Sequence, residues 1–127
     1  NAADTLKRVH LELGGKAPVV VFDDADLNAA VQGVLMAKFR NTGQSCIAAN
    51  RVYVQRSVYP QFLEQLVART RALKIGNGLE EGVEIGPLIG QRALAVRTKP
   101  RLGLSQSRLG PPCLEVRIST CSPVWRM

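Results

Sequence analysis

The sequence predicts an α/β fold with a mainly parallel sheet and flanking helices. Two strand-like segments, residues 18–22 and 50–55, alternate with two segments of helical periodicity, one after Asp26 and one over residues 58–73. Such alternation is typical of parallel sheets whose strands are connected by helices. The chain has 127 residues, 46% of them hydrophobic, which is enough for one small domain with its own core.

The first strand follows a less regular start. Residues 2–9 are typical of the last turns of a helix, and residues 10–13 predict a short strand. Residues 18–22 (PVVVF) form a continuous apolar run, which fits a strand covered on both faces. Three aspartates then provide N-cap candidates and first-turn negative charge: Asp23, Asp24 and Asp26. A metal site is the alternative interpretation of this cluster, but capping explains it without a metal.

The helices are predicted from their apolar spacing. In the first predicted helix, six residues recur at helical spacing and Phe39 follows them: Leu27, Ala30, Val31, Val34, Leu35 and Lys38. We expect it to end near residues 41–43, where Gly43 can adopt a left-handed conformation. Ser57 is the predicted N-cap of the second helix, and Pro60 lies in its first turn. Residues 75–89 contain four glycines and Pro87 and predict a connecting loop.

The end of the chain differs from the rest in charge. Residues 1–89 hold ten Lys/Arg and nine Asp/Glu, whereas residues 90–127 hold seven and one. We therefore divide the chain into residues 1–89 and a basic tail, residues 90–127. The tail is expected to be irregular, either an out-of-frame translation from about Arg97 or a disordered segment. Trp125 is its only aromatic residue, so nucleic acid is not an expected partner.

The cysteines exclude several classes of protein. Cys46, Cys113 and Cys121 fit neither a disulfide framework nor a zinc spacing, and we predict no metal. The sequence shows no signal peptide, and no apolar run approaches the roughly 18 residues that span a bilayer. We therefore expect a reducing cytoplasmic location and no membrane partner.

Two short motifs carry the candidate chemistry. Cys46 ends a polar loop, residues 41–46 (NTGQSC), placed between a predicted helix and a predicted strand. A cysteine in a polar loop can act as a thiolate nucleophile, although many cysteines are core residues. Glu12 lies 34 residues earlier in residues 11–16 (LELGGK), where apolar neighbours favour a general base. Together they form a nucleophile-and-base pair; alternatively, Glu12 is a surface carboxylate on an edge strand.

These two motifs, at this spacing, resemble the aldehyde dehydrogenase superfamily. Its active-site glutamate lies in a Leu-Glu-Leu-Gly-Gly-Lys segment and its nucleophilic cysteine in a Gly-Gln-X-Cys loop. Residues 18–26 and 75–89 are also similar to the family, so the resemblance covers residues 1–89. It implies part of a catalytic domain that oxidises an aldehyde with NAD or NADP. Cys46 would be the nucleophile and Glu12 the base, and Leu13 is similar to the position whose backbone lies near the nicotinamide.

Residues 39–44 (FRNTGQ) resemble the succinate-semialdehyde dehydrogenase branch. There an arginine six residues before the nucleophile holds the distal carboxylate of the substrate, which implies that role for Arg40. The alternative is a cation placed favourably at a helix C-terminus. Some members of the branch carry a second cysteine where this chain has Ala48, so we expect no disulfide switch.

The resemblance also implies a small aldehyde substrate and a homo-oligomeric parent enzyme. We interpret the chain as a fragment of that parent, without its cofactor-binding half, its oxyanion asparagine and its ribose-binding glutamate. By itself the chain is expected to have little or no dehydrogenase activity. A second hypothesis is a non-enzymatic remnant whose basic tail binds anions.

Overall fold

The computed structural model describes residues 3–93 and the backbone of residues 113–117. Two strands and two helices alternate along the chain, and a third strand follows. The elements are a 3-10 turn at Ala3–Thr5, strand β1 at Ala17–Val21, helix α1 at Leu27–Phe39, a second 3-10 turn at Arg40–Gly43, strand β2 at Ala49–Gln55, helix α2 at Tyr59–Ala72 and strand β3 at Cys113–Arg117.

The sheet is built around a β–α–β unit. β1 and β2 pair in parallel, with Pro18 opposite Arg51 and Val21 opposite Val54. α1 connects them, as a parallel pair requires, because a tight turn can join only antiparallel neighbours. The strand order is β1-β2-β3. The predicted α/β class and parallel pairing of the first two strands are therefore confirmed.

Residues 113–117 correct the expectation that the tail is irregular throughout. They pair with β2 in the antiparallel direction, with Arg117 opposite Arg51 and Cys113 opposite Gln55. The physical reason is that one edge of β2 would otherwise present unpaired N–H and C=O groups, which an added strand satisfies. Residues 94–112 and 118–127 of the tail lie outside the described residues.

Helix α1 begins where an aspartate caps it. The Oδ1 atom of Asp26 accepts hydrogen bonds from the N–H groups of Asn28, at 2.8 Å, and Ala29, at 3.1 Å. These bonds satisfy two of the N–H groups that the first turn of a helix leaves without partners. The aspartate cap predicted from the sequence is confirmed at this residue.

The core lies between the sheet and the two helices. Val52 and Val54 lie on one face of β2 and are both fully buried, because every second residue of a strand faces the same side. Phe62 of α2 is also fully buried. The core as a whole consists of Val21, Val31, Val34, Leu35, Val52, Val54, Tyr59, Phe62 and Leu66. Residues from two strands and two helices thus form one apolar core.

Helix α2 starts differently from the prediction. Val58 takes the N-cap position without a side-chain hydrogen bond, and Pro60 lies in the first turn as expected. The predicted cap, Ser57, instead donates its hydroxyl to Asp23 at 3.2 Å. Asp23 also accepts a 2.7 Å bond from the side chain of Gln55. The predicted cap is wrong because the Ser57 hydroxyl bonds to Asp23 instead, and this bond connects the residues that follow β1 with those that follow β2.

The strand predicted at residues 10–13 is not formed. Residues 7–16 have no regular secondary structure. A strand requires a neighbour that completes its hydrogen bonds, and among the described residues β2 already lies beside β1 while nothing pairs with residues 10–13. The segment is placed instead by contacts near its end, described below.

The effect of the Asp26 cap on the free energy of unfolding can be separated from the effect of the Asp26 charge. We expect Asp26→Ala to lower the free energy of unfolding by about 1 kcal/mol, measured by urea denaturation. Asp24→Ala is the matched control, because it removes a negative charge two residues earlier while leaving the cap. Equal losses for both variants would show that charge, and not capping, is responsible.

Candidate active site

The cysteine loop begins with an unusual run of backbone conformations. After α1 ends at Phe39, three consecutive residues have positive φ: Asn41 at 52°, Thr42 at 57° and Gly43 at 71°. The left-handed conformation predicted for Gly43 is confirmed, and it extends to two residues with side chains. Thr42 is β-branched, and such a residue costs about 1–3 kcal/mol in this region. Other contacts must therefore hold the loop.

Those contacts come from within the loop and from residues 86–89. The Asn41 side chain donates to the carbonyl of Gln44 at 3.1 Å, and the Gln44 side chain donates back to the Asn41 carbonyl at 3.3 Å. The Thr42 hydroxyl donates to the Gly86 carbonyl at 3.3 Å. The Ile89 N–H donates to Gln44 Oε1 at 2.9 Å. Residues 75–89, predicted only as a connection, thus also brace the cysteine loop.

Cys46 lies at the exposed end of this loop as a free thiol. A turn at Ser45 places it: the Ser45 carbonyl accepts from the Ala48 N–H at 3.1 Å, and the Ser45 hydroxyl accepts from the Ile47 N–H at 3.4 Å. Ala48 and Ala49 are both buried at 1% exposure, where β2 begins. The thiol is therefore presented to solvent by a turn anchored on the core.

The glutamate segment, residues 11–16, meets the cysteine loop, residues 41–46, at Gly15. A Cβ atom added to Gly15 would overlap the carbonyl oxygen of Cys46, whereas one added to Gly14 would meet no atom within 4 Å. Gly15 lies two residues before β1 and Cys46 three residues before β2. Because the two strands are parallel neighbours, the segments leading into them arrive side by side. The two motifs, 34 residues apart in sequence, are thus brought together by the sheet.

Glu12 and Leu13 lie on the open side of this contact. The Glu12 side chain is exposed, and Leu11 and Leu13 are 72% and 71% exposed. The two leucines therefore do not build the desolvated surroundings that the sequence suggested for a general base. The carboxylate is instead free to contact water.

Arg40 lies apart from this contact. It is exposed at the end of α1, and its N–H donates to the Met36 carbonyl. With Phe39, Asn41 and residues of α2 it lines a groove between the two helices, which Cys46 does not line. The structure therefore brings the Glu12 and Cys46 segments together, and it places Arg40 on the preceding turn of the same loop.

Sequence reasoning missed a polar pair behind the site. Lys38 is only 2% exposed, and its Nζ donates to Asn50 Oδ1 at 2.6 Å. Asn50 Nδ2 donates to the Gly15 carbonyl at 3.4 Å. The available signal was the position of Lys38 among the apolar residues of α1, since a lysine on a buried face needs a polar partner.

The described part of the chain contains no group of three or more His, Cys, Asp or Glu placed to hold a metal ion. Neither of its long helices has the length and apolar character needed to cross a bilayer.

Comparison with known proteins identifies the family. Residues 1–99 match the aldehyde dehydrogenase family. The chain belongs to the aldehyde dehydrogenase family. The match includes both the Glu12 and the Cys46 motifs, which confirms the resemblance predicted from them.

The aldehyde dehydrogenase relatives include semialdehyde dehydrogenases. The succinate semialdehyde dehydrogenase of Acinetobacter baylyi is 60% identical over 94 residues, covering 74% of this chain and 20% of that protein. The glutarate-semialdehyde dehydrogenase of Pseudomonas putida is 58% identical over 93 residues, covering 73% and 19%. An Escherichia coli relative named succinate-semialdehyde dehydrogenase NADP(+) is 57% identical over 93 residues, covering 73% and 19%. The chain spans about a fifth of these relatives.

Solved aldehyde dehydrogenase structures share the fold. A crystal structure of succinate-semialdehyde dehydrogenase from Burkholderia pseudomallei aligns with a TM-score of 0.71 at 48% identity, covering 76% of this chain and 20% of that one. Betaine aldehyde dehydrogenase from Staphylococcus aureus in complex with NAD+ aligns with a TM-score of 0.73 at 38% identity, covering 76% and 19%. The chain thus folds like the corresponding part of these enzymes.

The Gly15 contact gives a matched pair of variants. We expect Gly15→Ala to lower the free energy of unfolding by about 1–3 kcal/mol, because the new methyl group meets the Cys46 backbone and not a flexible side chain. Gly14→Ala should change it by less than about 0.5 kcal/mol. Denaturant titration of both variants measures the difference, and equal effects would mean that the two motifs are not in contact.

Proposed function

We propose that this chain carries the nucleophile and the general base of an NAD(P)-dependent aldehyde dehydrogenase that oxidises succinate semialdehyde to succinate. The observation that carries this proposal is the contact between Gly15 and Cys46. It supports a single site in which Cys46 and Glu12 act on the same carbon atom. The relatives named for succinate and glutarate semialdehydes support a substrate with a second, charged end.

The surroundings of Leu13 fit a flat cofactor ring. Leu13 is 71% exposed, and the space beside Gly14 is open, so a ring can approach the backbone there. In this proposal Leu13 is the cofactor-binding residue. NAD or NADP bound there supplies the hydride acceptor for the reaction.

Cys46 performs the first step. Its thiolate attacks the aldehyde carbon, forming a C–S bond and a thiohemiacetal oxyanion. The backbone N–H of Cys46 is a candidate donor to that oxyanion. Loss of hydride from the same carbon leaves a thioester on Cys46. Exposure of the thiol in the described structure allows an aldehyde to reach it.

Glu12 performs the second step. Its carboxylate accepts a proton from a water molecule whose oxygen attacks the thioester carbon. The C–S bond then breaks, which releases the carboxylic acid and restores the Cys46 thiolate. The exposed position of Glu12 supports this role, since the base must contact water and not only the protein.

Arg40 is the candidate anchor for the distal carboxylate of the substrate. A guanidinium can bind a carboxylate through two parallel hydrogen bonds. Arg40 is exposed and precedes Cys46 by six residues on the same loop. Its position at the end of α1 also places a positive charge near the negative end of the helix dipole.

Thiol reactivity tests the catalytic proposal without requiring turnover, since we infer little or no dehydrogenase activity for the chain alone. We expect iodoacetamide to alkylate Cys46 about tenfold faster than Cys113 or Cys121 at neutral pH, because a nucleophile held in a formed site reacts faster than an ordinary thiol. Each cysteine falls in a different tryptic peptide, so mass spectrometry follows all three rates together. Equal rates would contradict the proposal and favour the remnant hypothesis.

Substrate protection tests Arg40. Succinate semialdehyde should slow Cys46 alkylation at about three- to tenfold lower concentration than butanal, which lacks the carboxylate. Arg40→Met should abolish this preference and leave butanal protection unchanged. Arg56→Met, at another exposed arginine, is the control and should retain the preference. A preference that survives Arg40→Met would show that the carboxylate is held elsewhere.

A further inference from the structure

Lys38 is a buried cation beside the candidate site. It lies on the core side of α1 at 2% exposure, and its Nζ is 2.6 Å from Asn50 Oδ1. Burial of an ammonium group is unfavourable unless hydrogen bonds compensate for the lost water. An uncharged side chain of similar length, such as methionine, could fill much of the same volume. The ammonium group therefore contributes something that packing alone does not, namely its bond to Asn50.

That bond determines how the Asn50 amide is oriented. Lysine can donate hydrogen bonds but cannot accept them, so the Asn50 oxygen must face Lys38. The amide nitrogen then faces away and donates to the Gly15 carbonyl at 3.4 Å. Gly15 is the residue whose backbone lies against Cys46. A continuous connection thus runs from α1 through β2 to the glutamate segment.

We propose that Lys38 and Asn50 are positioning residues that hold the Glu12 segment against the Cys46 loop. Residues 7–16 have no regular secondary structure, so no helix or sheet ladder sets their position. The Asn50 bond fixes the segment at the residue that touches Cys46. The consequence for Glu12 as a base rests on the proposed function. The positioning of the Glu12 segment is a property of the fold and does not depend on that role.

Amide 15N relaxation of the full chain tests the positioning. In Lys38→Met, we expect the backbone order parameters of residues 13–16 to fall below about 0.6, the range of flexible backbone, because the segment loses the bond that holds the Gly15 carbonyl. The order parameters of α1, α2 and β2 should keep their wild-type values. Lys7→Met is the control because it makes the same replacement at an exposed lysine, and its order parameters at residues 13–16 should match wild type.

Asn50→Asp provides a second variant if Lys38→Met unfolds. The carboxylate still accepts from Lys38, so the buried charge keeps a partner, but it cannot donate to Gly15. The same local fall in the order parameters of residues 13–16 is expected. A uniform fall over all amides in both variants would show that the pair only stabilises the fold and would overturn the proposal. Unchanged order parameters at residues 13–16 in a folded variant would overturn it as well.

A double-mutant comparison separates this inference from the proposed function. p-Nitrophenyl acetate acylates Cys46 with loss of p-nitrophenolate, and water then hydrolyses the resulting thioester. Glu12→Gln should slow that hydrolysis in the wild-type chain, and the factor should shrink toward unity when Lys38→Met is also present. If Glu12→Gln has no effect in either chain while the order parameters of residues 13–16 fall in Lys38→Met, the catalytic role of Glu12 fails and the positioning role of Lys38 stands.

Discussion

The parallel pairing of β1 with β2 is the constraint on which the candidate site depends. Parallel neighbours require a crossover, so α1 must carry the chain back before β2 can begin. Both strands then start at the same edge of the sheet, and the segments preceding them lie together there. The Glu12 motif precedes β1 and the Cys46 motif precedes β2. Many α/β proteins bind ligands at the carboxyl ends of their strands, whereas the motifs here meet at the amino ends.

The two sides of the site are held differently. The cysteine loop is anchored by the buried Ala48 and Ala49, by bonds within residues 41–44 and by residues 86–89. These contacts offset the positive φ of Thr42, a strain of the kind that often occurs at functional sites. Among the described residues, the glutamate segment is held by the Gly15 contact and the Asn50 bond. Segments with few buried contacts open most easily, so we expect the glutamate segment to open more easily than the cysteine loop.

Two polar side chains in the described part of the chain are buried near the cysteine loop. Most of the core between the sheet and the helices is aliphatic, but Lys38 and Thr42 are buried as well, both near the cysteine loop. Buried polar groups are unfavourable unless they are bonded, and their bonds are directional. A directional hydrogen bond restricts the position of the backbone more tightly than an apolar contact does. The fold thus uses apolar packing for stability and polar contacts where two loops must meet.

The sequence alone was sufficient for the α/β class, the family, both motifs, the start of α1 and both ends of α2 to within a residue, although it placed the end of α1 two to four residues too late. Those features depend on local periodicity, on capping chemistry such as Asp26, and on short patterns readable within one segment. It was not sufficient for the role of Ser57, the strand pairing of residues 113–117 or the partner of Lys38. Each of these depends on a residue or segment far away in sequence: Asp23, β2 and Asn50 respectively. Only the folded chain decided them, because hydrogen bonds between distant segments form where packing brings a donor and an acceptor together.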